Sequence, residues 1–474
     1  MIKARMFILM LIVMFIIANV VQAQIPDTLW SKTYGGSDND YGYDLKQTLD
    51  GGYIIAGSTA SFGSGWWNIY LVKTDAMGDT VWTNFYSAEG PDIAYCVEQT
   101  NDNGYIVACE GFANLIKLDE FGDSVWTQNY GIIANAVHQT TDGGYIVGGS
   151  MNIEGFGCAC LIRTDEFGNC IWQKPYIMGD VNPITKLLQT PDGGFIAAGP
   201  VYSEQSWWDY FLIKTNASGD TVWTRRYGAI IYPEEAYALQ QTSDGCYIIS
   251  GLYFWTVKTD ANGDTLWTSY YGSGESACAF SIRETCDRGF IISGSLDPAG
   301  MRDDSQFYLV KIDSLGTIIW EQFYGTPGGW DYGQSVCITN DGGCAFAGWT
   351  NSFSAGDMDI WLIKLESMAD LYGYLPGDVN MYGGAWPPAV TGPDITYLVN
   401  YFRGLPTSYP CFFDGFWSSA DANGDCIVIG GDVTKLVNVF LGISSIGYCP
   451  SYPPMWLTPD DLPQEAPEGW SGCE

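Results

Sequence analysis

The segment that decides the fold reads LKQTLDGGYIIAG at residues 45–57 and IYLVKTDAMGDTVWTNFY at residues 69–86. In each half, two runs rich in β-branched and aromatic residues flank a short turn, DGG at 50–52 and DAMG at 75–78. Turn residues between β-rich runs are typical of β-hairpins. The segment therefore predicts two hairpins, which together make four consecutive strands.

This unit recurs seven times between residues 28 and 366. A tryptophan recurs 44 to 53 residues apart, each followed four residues later by a tyrosine: Trp30, Trp82, Trp126, Trp172, Trp223, Trp267 and Trp320. The first turn recurs in step, with its aspartate at Asp50, Asp102, Asp142, Asp192, Asp244, Asp287 and Asp341. Four strands per unit of this length is the period of a propeller blade. We therefore predict a mainly β fold, a seven-bladed β-propeller, and interpret the turn aspartates as structural.

The two ends of the repeat array have complementary defects. The strand Trp30–Tyr34 has no hairpin partner before it, and the last copy ends after Trp361–Leu365 without a fourth strand. A ring closed by strands from both ends removes two exposed sheet edges. We predict that residues 28–34 complete the blade built from residues 332–365.

Composition excludes several classes of function. The chain has 474 residues, 54 Asp and Glu against 20 Lys and Arg, and one histidine, His138. The negative charge argues against nucleic acid or an anionic membrane as the main partner, and one histidine excludes a multi-histidine metal site within the chain. His138 occupies a repeat position whose siblings we align as Lys46, Glu98, Leu187, Gln240, Arg283 and Cys337. It therefore has no special place, and no catalytic role is predicted for it.

Residues 1–23 have the pattern of a secretory signal peptide, with Lys3 and Arg5 before an apolar run and small-residue cleavage before Gln24. A membrane anchor is the alternative, but the run is short for a span. We therefore expect a secreted, extracellular or surface-attached protein in an oxidising compartment, where disulfides form. Cys96 and Cys109 flank a turn at equal distances, which would allow a cross-strand disulfide.

The loops opposite the hairpin turns are the expected binding face. The turns within both hairpins of a blade fall on one face, and the longer, variable links fall on the other, where function is usually placed. These links carry many acids and a candidate set of ligand-contacting tryptophans: Trp66, Trp67, Trp207, Trp208 and Trp330. Aromatic rings and carboxylates suit sugar binding. The alternative is that the tryptophans pack as wedges between adjacent blades and the acids only keep the surface soluble.

After residue 372 the repeat stops, and a loop of twelve residues runs from Asp421 to Asp432. Oxygen ligands at loop positions 1, 3, 5, 7 and 12 can surround a calcium ion. In this loop they are Asp421, Asn423, Asp425, Ile427 through its carbonyl, and Asp432. The apolar residues that follow have helical spacing.

An earlier copy of this loop and helix precedes it, and the pair resembles a type I dockerin over residues 374–448. The resemblance implies a small calcium-binding helical domain that docks onto a cohesin, with first-copy ligands at Asp378, Asn380 and Asp394. Two departures are Cys426, where this loop type prefers glycine, and a longer first loop. The alternative is a domain whose calcium only holds it folded. Residues 449–474 are rich in proline, and we predict an irregular tail.

The repeat region, 28–366, looks like secreted bacterial propellers with DGGYI-G and W-x-x-x-Y-G repeats. This resemblance implies a fold and an extracellular address, but no particular activity. The expected function is a non-catalytic binding or scaffold propeller, attached through the calcium module, that binds extracellular polysaccharide. The alternatives are a glycoside hydrolase or lyase acting on such a polysaccharide, for which the loops single out no catalytic pair of acids, and a purely structural surface protein.

Overall fold

The computed structural model describes residues 25–64, 66–87, 90–153, 155–179, 182–203, 207–228, 234–272, 277–285, 287–297 and 305–366. Within these ranges, 28 strands form seven antiparallel sheets of four strands each. The signal peptide, the two calcium loops and the tail predicted above lie outside the described residues. No helix in the described part of the chain is long and apolar enough to cross a bilayer.

Blades 1 to 6 are sequential four-stranded meanders. Blades 1 and 2 consist of β2 (Asp40–Gln47), β3 (Tyr53–Thr59), β4 (Asn68–Thr74), β5 (Thr80–Tyr86), β6 (Ile93–Gln99), β7 (Tyr105–Glu110), β8 (Leu115–Leu118) and β9 (Ser124–Gln128). Blades 3 and 4 consist of β10 (Ile133–Gln139), β11 (Tyr145–Ile153), β12 (Phe156–Thr164), β13 (Cys170–Tyr176), β14 (Lys186–Gln189), β15 (Phe195–Ser203), β16 (Trp207–Thr215) and β17 (Thr221–Tyr227). Blades 5 and 6 consist of β18 (Ala236–Gln241), β19 (Tyr247–Gly251), β20 (Trp255–Thr259), β21 (Thr265–Tyr270), β22 (Cys278–Glu284), β23 (Phe290–Leu296), β24 (Gln306–Ile312) and β25 (Ile318–Tyr324).

Blade 7 is closed by the N-terminal strand. Its strand order is β1 (Thr28–Tyr34), β28 (Asp359–Leu365), β27 (Cys344–Thr350) and β26 (Asp331–Ile338). β1 runs antiparallel to β28. The predicted seven blades and their closure by residues 28–34 are therefore confirmed.

The innermost strands of the blades contact one another in a closed circle around a central channel: β2, β6, β10, β14, β18, β22 and β26. Every innermost strand of the described chain except β14 carries a register shift near its start, as between Gly42 and Asp44 in β2. The hydrophobic cores lie between adjacent sheets, and the middle strands β3 and β4 are buried along their whole length.

The repeated Trp-x-x-x-Tyr motif joins six of the seven blades to the blade that follows. The Tyr34 hydroxyl donates a 2.7 Å hydrogen bond to the carbonyl of Gly78, which lies in the second hairpin turn of the following blade. The Trp30 ring packs on the same glycine, where an added Cβ would stand 2.7 Å from the ring, and the φ of Gly78 is +77°. The hydroxyl bond recurs in five more blades, from Tyr86, Tyr130, Tyr176, Tyr227 and Tyr271.

The repeated turn aspartates are structural, as interpreted, and they also accept an ion pair that the sequence did not predict. Asp50 accepts hydrogen bonds from the Thr48 hydroxyl and the Gly52 amide, and its other oxygen lies 2.8 Å from the Lys73 ammonium. A cation of the third strand pairs with the turn aspartate in all seven blades: Lys73, Lys117, Arg163, Lys214, Lys258, Lys311 and Lys364.

The cross-strand disulfide considered for Cys96 and Cys109 does not form. The register shift in β6 places Cys96 opposite Ala108 and Ala94 opposite Cys109. The two thiols consequently belong to different hydrophobic clusters, on opposite faces of the sheet. All nine cysteines of the described ranges are free.

Candidate ligand-binding face and central channel

The links between blades meet the links between second and third strands on one face of the disc. The Asp92 amide donates to the Trp67 carbonyl at 3.1 Å, and the Glu234 amide donates to the Trp208 carbonyl at 2.9 Å. The Asp40 amide likewise donates to the carbonyl of Met358 at 2.7 Å. The hairpin turns end the same strands at their other ends. The variable links therefore form one face, as expected, and we call it the link face.

A group of touching aromatic rings lies where the channel opens on the link face. The Tyr41 ring stacks on Trp67 with centroids 5.1 Å apart and meets the edge of Trp349 at 5.0 Å. Trp349 in turn stacks on Tyr332 at 5.1 Å. The group continues to two more rings, so that its members are Tyr41, Tyr43, Trp67, Tyr95, Tyr332 and Trp349. We call these six residues the mouth cluster, and each of them is partly exposed.

The five predicted tryptophans are distributed over the link face, and one of them belongs to the mouth cluster. Trp67 does, while its neighbour Trp66 is 86% exposed. Trp330 is 42% exposed at the entry to blade 7. Trp208 lies on blade 4, where its ring centroid is 5.3 Å from that of Tyr202. Trp207 begins β16 and its side chain is not among those described.

The sequence analysis missed the other five rings of the mouth cluster because they lie at the channel ends of strands rather than in links. A signal for four of them was available. Tyr41 and Tyr332 occupy the same repeat position just before a glycine, and Tyr43 and Tyr95 share the position of the register shift. Trp349 is the only tryptophan in β27, and its ring contacts Tyr41 only because the ring of blades closes.

Carboxylates stand at the margin of the mouth cluster. The Tyr95 hydroxyl donates to Glu110 at 2.9 Å, and across the channel the Tyr237 hydroxyl donates to Glu235. Burial raises the pKa of Tyr41, and the nearby charge of Asp357 raises it further. Burial likewise raises the pKa values of Tyr43 and Tyr95, so these three phenols stay protonated at neutral pH and can donate hydrogen bonds to acceptor groups.

Two acids approach each other at the junction of blades 7 and 1, but they are buried. Asp40 and Asp359 are 0% and 2% exposed, and a Cβ on Gly35 would collide with both carboxylates. Asp40 accepts bonds from the Gly36 amide and the Ser61 hydroxyl, and Asp359 accepts one from the Ala355 amide. Burial and the neighbouring Asp40 raise the pKa of Asp359. These contacts hold the loops of the closing blade, and the pair does not line a groove open to a glycan.

His138 makes a specific contact within the channel. Its Nδ1 lies 2.9 Å from the carboxylate of Glu98, the sibling residue of the preceding blade. The charge of Glu98 raises the pKa of His138, although burial opposes it. The strand register also corrects the sequence alignment in blade 4, where the sibling of His138 is Leu188 and not Leu187. Leu188 pairs with Ile196 as His138 pairs with Ile146. Leu187 instead faces an interblade core.

Comparisons with known proteins give a fold likeness only. No model of a protein family matches the chain, and no curated protein matches it. A solved protein of unknown function from Bacteroides caccae is similar, with 14% identity and a TM-score of 0.40, over 60% of this chain and 94% of that one. The WD40 domain of Neurospora crassa Pan2 is similar with 11% identity and a TM-score of 0.46, over 72% and 97%. The propeller assignment itself rests on the strand pairing.

The described ranges contain no group of three or more His, Cys, Asp or Glu side chains arranged around a metal position. The predicted calcium ligands lie beyond these ranges and stay predictions.

Proposed function

We propose that this propeller is a secreted, non-catalytic module that binds carbohydrate at the mouth cluster. The observation that carries the proposal is the run of four touching rings from Trp67 through Tyr41 and Trp349 to Tyr332, all partly exposed on the link face. Ligand sites in proteins are concave, rich in aromatic side chains and supplied with a few polar groups. Aromatic rings offer apolar faces to the C–H groups of a sugar.

The polar groups beside these rings support the same ligand class. Phenols that stay protonated donate hydrogen bonds, and carboxylates such as Glu110 accept them. A sugar presents hydroxyls that can do both at once. A polyanionic ligand does not fit this margin, since Glu110 and Asp357 would repel it.

We also propose that the chain is attached to a partner through its dockerin-like module. The support is the loop Asp421–Asp432, whose spacing of oxygen-bearing residues suits calcium, and its earlier partial copy. A cohesin-like module is the proposed partner. Calorimetry of the chain from Gln24 onward tests the calcium assignment. Binding that Asp421→Ala abolishes supports it, and binding unchanged by that substitution removes it.

A screen of the same chain against immobilised neutral polysaccharides, scored for retention and for released product, tests the proposed carbohydrate binding. Retention without product is expected. Product release would favour the alternative of a glycoside hydrolase or lyase. If no polysaccharide retains the chain and none is cleaved, the mouth cluster is only packing of the closing blade, which is the structural alternative.

A further inference from the structure

Two layers of side chains on the innermost strands lie near the channel axis, close to the hairpin-turn face. Equivalent strand registers define the lower ring, which contains Lys46, Glu98, His138, Leu188, Gln240, Arg283 and Cys337. The upper ring lies two residues earlier on each strand and contains Asp44, Cys96, Ala136, Lys186, Ala238, Ser281 and Ser335. The residue between the two, such as Leu45, faces a core shared with the preceding blade. Both rings therefore lie on the opposite side of the sheet, where small members such as Cys96 and Ala136 pack against the following blade and the charged members Asp44, Lys46, Lys186 and Arg283 act on one another near the channel axis.

Four of the six ionisable Asp, Glu, His, Lys and Arg side chains in these rings are paired. The Lys46 ammonium lies 2.6 Å from the Asp44 carboxylate, which also accepts hydrogen bonds from the Val97 amide and the Ser335 hydroxyl. His138 pairs with Glu98 at 2.9 Å. These contacts neutralise the side of the channel built by blades 1 to 3.

Lys186 and Arg283 have no such partner. Neither cation makes an ion pair with a carboxylate of the described residues. The Arg283 guanidinium donates one bond, at 2.8 Å, to the carbonyl of Ile282, and this leaves its other donors for a ligand. A partly buried charge that makes no ion pair is costly, and two such cations, both only partly exposed, face one space in a chain with a net charge of −34.

The two cations act on each other across the channel. Burial lowers the pKa of Lys186 although Asp44 attracts its charge, and the charges of Lys46 and Arg283 lower it further. Lys186 belongs to blade 4 and Arg283 to blade 6. Between them blade 5 contributes Ala238, a small side chain buried in the core with blade 6, and Gln240, whose Oε1 accepts the Glu284 amide and whose NH2 group has no acceptor among the described residues.

Solvent reaches this part of the channel. The side chains of Lys46 and His138 are 26% and 32% exposed. The lower ring lies two residues before the first hairpin turn of each blade, as Lys46 lies before Thr48. A small molecule can thus approach from the hairpin-turn face, at the end of the channel opposite the mouth cluster.

We propose that the channel binds an oxyanion between Lys186 and Arg283, with the amide of Gln240 as a further donor. The ligand class is a small molecule that carries a carboxylate, phosphate or sulfate group, because a guanidinium matches such groups with two parallel hydrogen bonds and an ammonium adds a point charge. Lys46 strengthens the local positive potential without leaving Asp44. This site is separate from the carbohydrate site proposed above.

Calorimetry and thermal unfolding of the chain from Gln24 onward, at constant ionic strength, test this site. The probes are inorganic phosphate, inorganic sulfate, acetate and glucuronate, added separately. We expect saturable binding and a rise in Tm with at least one probe, and the probe that binds most tightly identifies the oxyanion as phosphate-like or carboxylate-like. No saturable binding of any probe would overturn the proposal.

Three variants locate the effect. Lys186→Met and Arg283→Met lie on different blades, keep most of the apolar stem, and are each expected to weaken binding at least about tenfold, since each removes a charge-assisted contact. Lys174→Met is the matched control, because Lys174 is a partly exposed lysine paired with Asp220 on the outermost strand of blade 3. Equal binding by all three variants would assign the effect to the general surface and contradict the site. A Tm of Lys186→Met that no longer rises with the probe supports it independently of calorimetry.

Discussion

The pKa values and hydrogen bonds of individual side chains near the channel depend on residues of other blades. Glu98 shows this clearly, because burial alone would raise its pKa, yet His138 and Lys46 together hold that pKa below its ordinary value. Its second oxygen accepts the amide of Gln139 in the next blade. No sequence pattern encodes these contacts, since the residues concerned are about 40 positions apart and occupy ordinary repeat positions. The sequence analysis accordingly located His138 but missed its partner.

The ion pair of His138 predicts a pH-dependent stability. Its pKa is raised in the folded state, chiefly by Glu98, so the stabilisation is fully present below the unfolded value of about 6.5 and is lost as pH rises through the folded value. His138→Gln should therefore lower Tm by about 1–3 °C at pH 6 and by less at pH 9. Thermal unfolding at both pH values checks this, and equal losses at pH 6 and pH 9 would contradict it.

For Asp359, in contrast, a substitution that removes the charge is expected to raise Tm. Its pKa is raised by burial and by Asp40, so the wild-type chain loses stability as pH rises from the ordinary aspartate value through the folded one. Asp359→Asn, which stays neutral and can still accept the Ala355 amide, should raise Tm by about 1–3 °C at pH 7 and give no gain near pH 3.

A matched control for that experiment is Asp341→Asn in the turn of the same blade. The pKa of Asp341 is lowered, because hydrogen bonds from Lys364 and Thr339 outweigh the effect of burial. This substitution should lower Tm at pH 7. A stabilising effect of Asp341→Asn at pH 7, or a destabilising one of Asp359→Asn, would show that the two carboxylates are assigned wrongly.

At the scale of elements, the strands and turns of a blade could be predicted because the residues that determine them are close together in the sequence. The hairpin turns, the four strands and the alternation of their residues lie within one repeat. What could not be predicted is how repeats meet. A register shift of one residue in β6 moves Cys96 and Cys109 to opposite faces, so counting residues from the turn gave a disulfide that does not form. Likewise Tyr41 and Trp349 are about 300 residues apart and meet only because the ring closes.

Each interblade turn should be destabilised more by a side chain at its glycine than by loss of its hydrogen bond. Tyr176→Phe removes the buried hydroxyl bond to Gly219 and should cost about 1 kcal/mol. Gly219→Ala places a Cβ 2.8 Å from the Trp172 ring at a φ of +77° and should cost about 2–4 kcal/mol. Chemical denaturation of both variants measures these costs.

Gly193→Ala is the control that separates packing from backbone strain. Gly193 has nearly the same φ, +78°, but no atom within 4 Å of the added Cβ. This substitution should lower the free energy of unfolding by about 1–2 kcal/mol, because it strains the left-handed backbone conformation and nothing else. If Gly193→Ala and Gly219→Ala are equally destabilising, the Trp172 ring does not constrain that turn.

At the scale of the whole molecule, the described propeller is one ring whose closure depends on seven residues. β1 covers the edge of β28 and pairs with it from Thr28 to Tyr34. An uncovered edge strand invites pairing with another chain. The closing strand also brings blade 7 against blade 1, which is where the mouth cluster lies.

Deletion of residues 28–34 should therefore open the ring, lower Tm and promote self-association. Differential scanning calorimetry and light scattering measure both effects. A synthetic peptide of residues 25–36 should restore Tm when added in excess, whereas a scrambled peptide should not. A deletion variant that stays monomeric with an unchanged Tm would contradict closure by β1.

The central claim, that the mouth cluster binds carbohydrate, is tested most directly by comparing two equivalent tryptophans. Trp67 and Trp208 occupy the same position of their blades, and the carbonyl of each accepts an interblade amide, but Trp67 alone stacks within the mouth cluster. The measurement is affinity electrophoresis of the wild-type chain, Trp67→Ala and Trp208→Ala in gels containing the polysaccharide that retains the wild type. We predict that Trp67→Ala weakens retention about tenfold or more while Trp208→Ala leaves it unchanged. Retention that Trp67→Ala does not alter, with the variant folded, would contradict the claim.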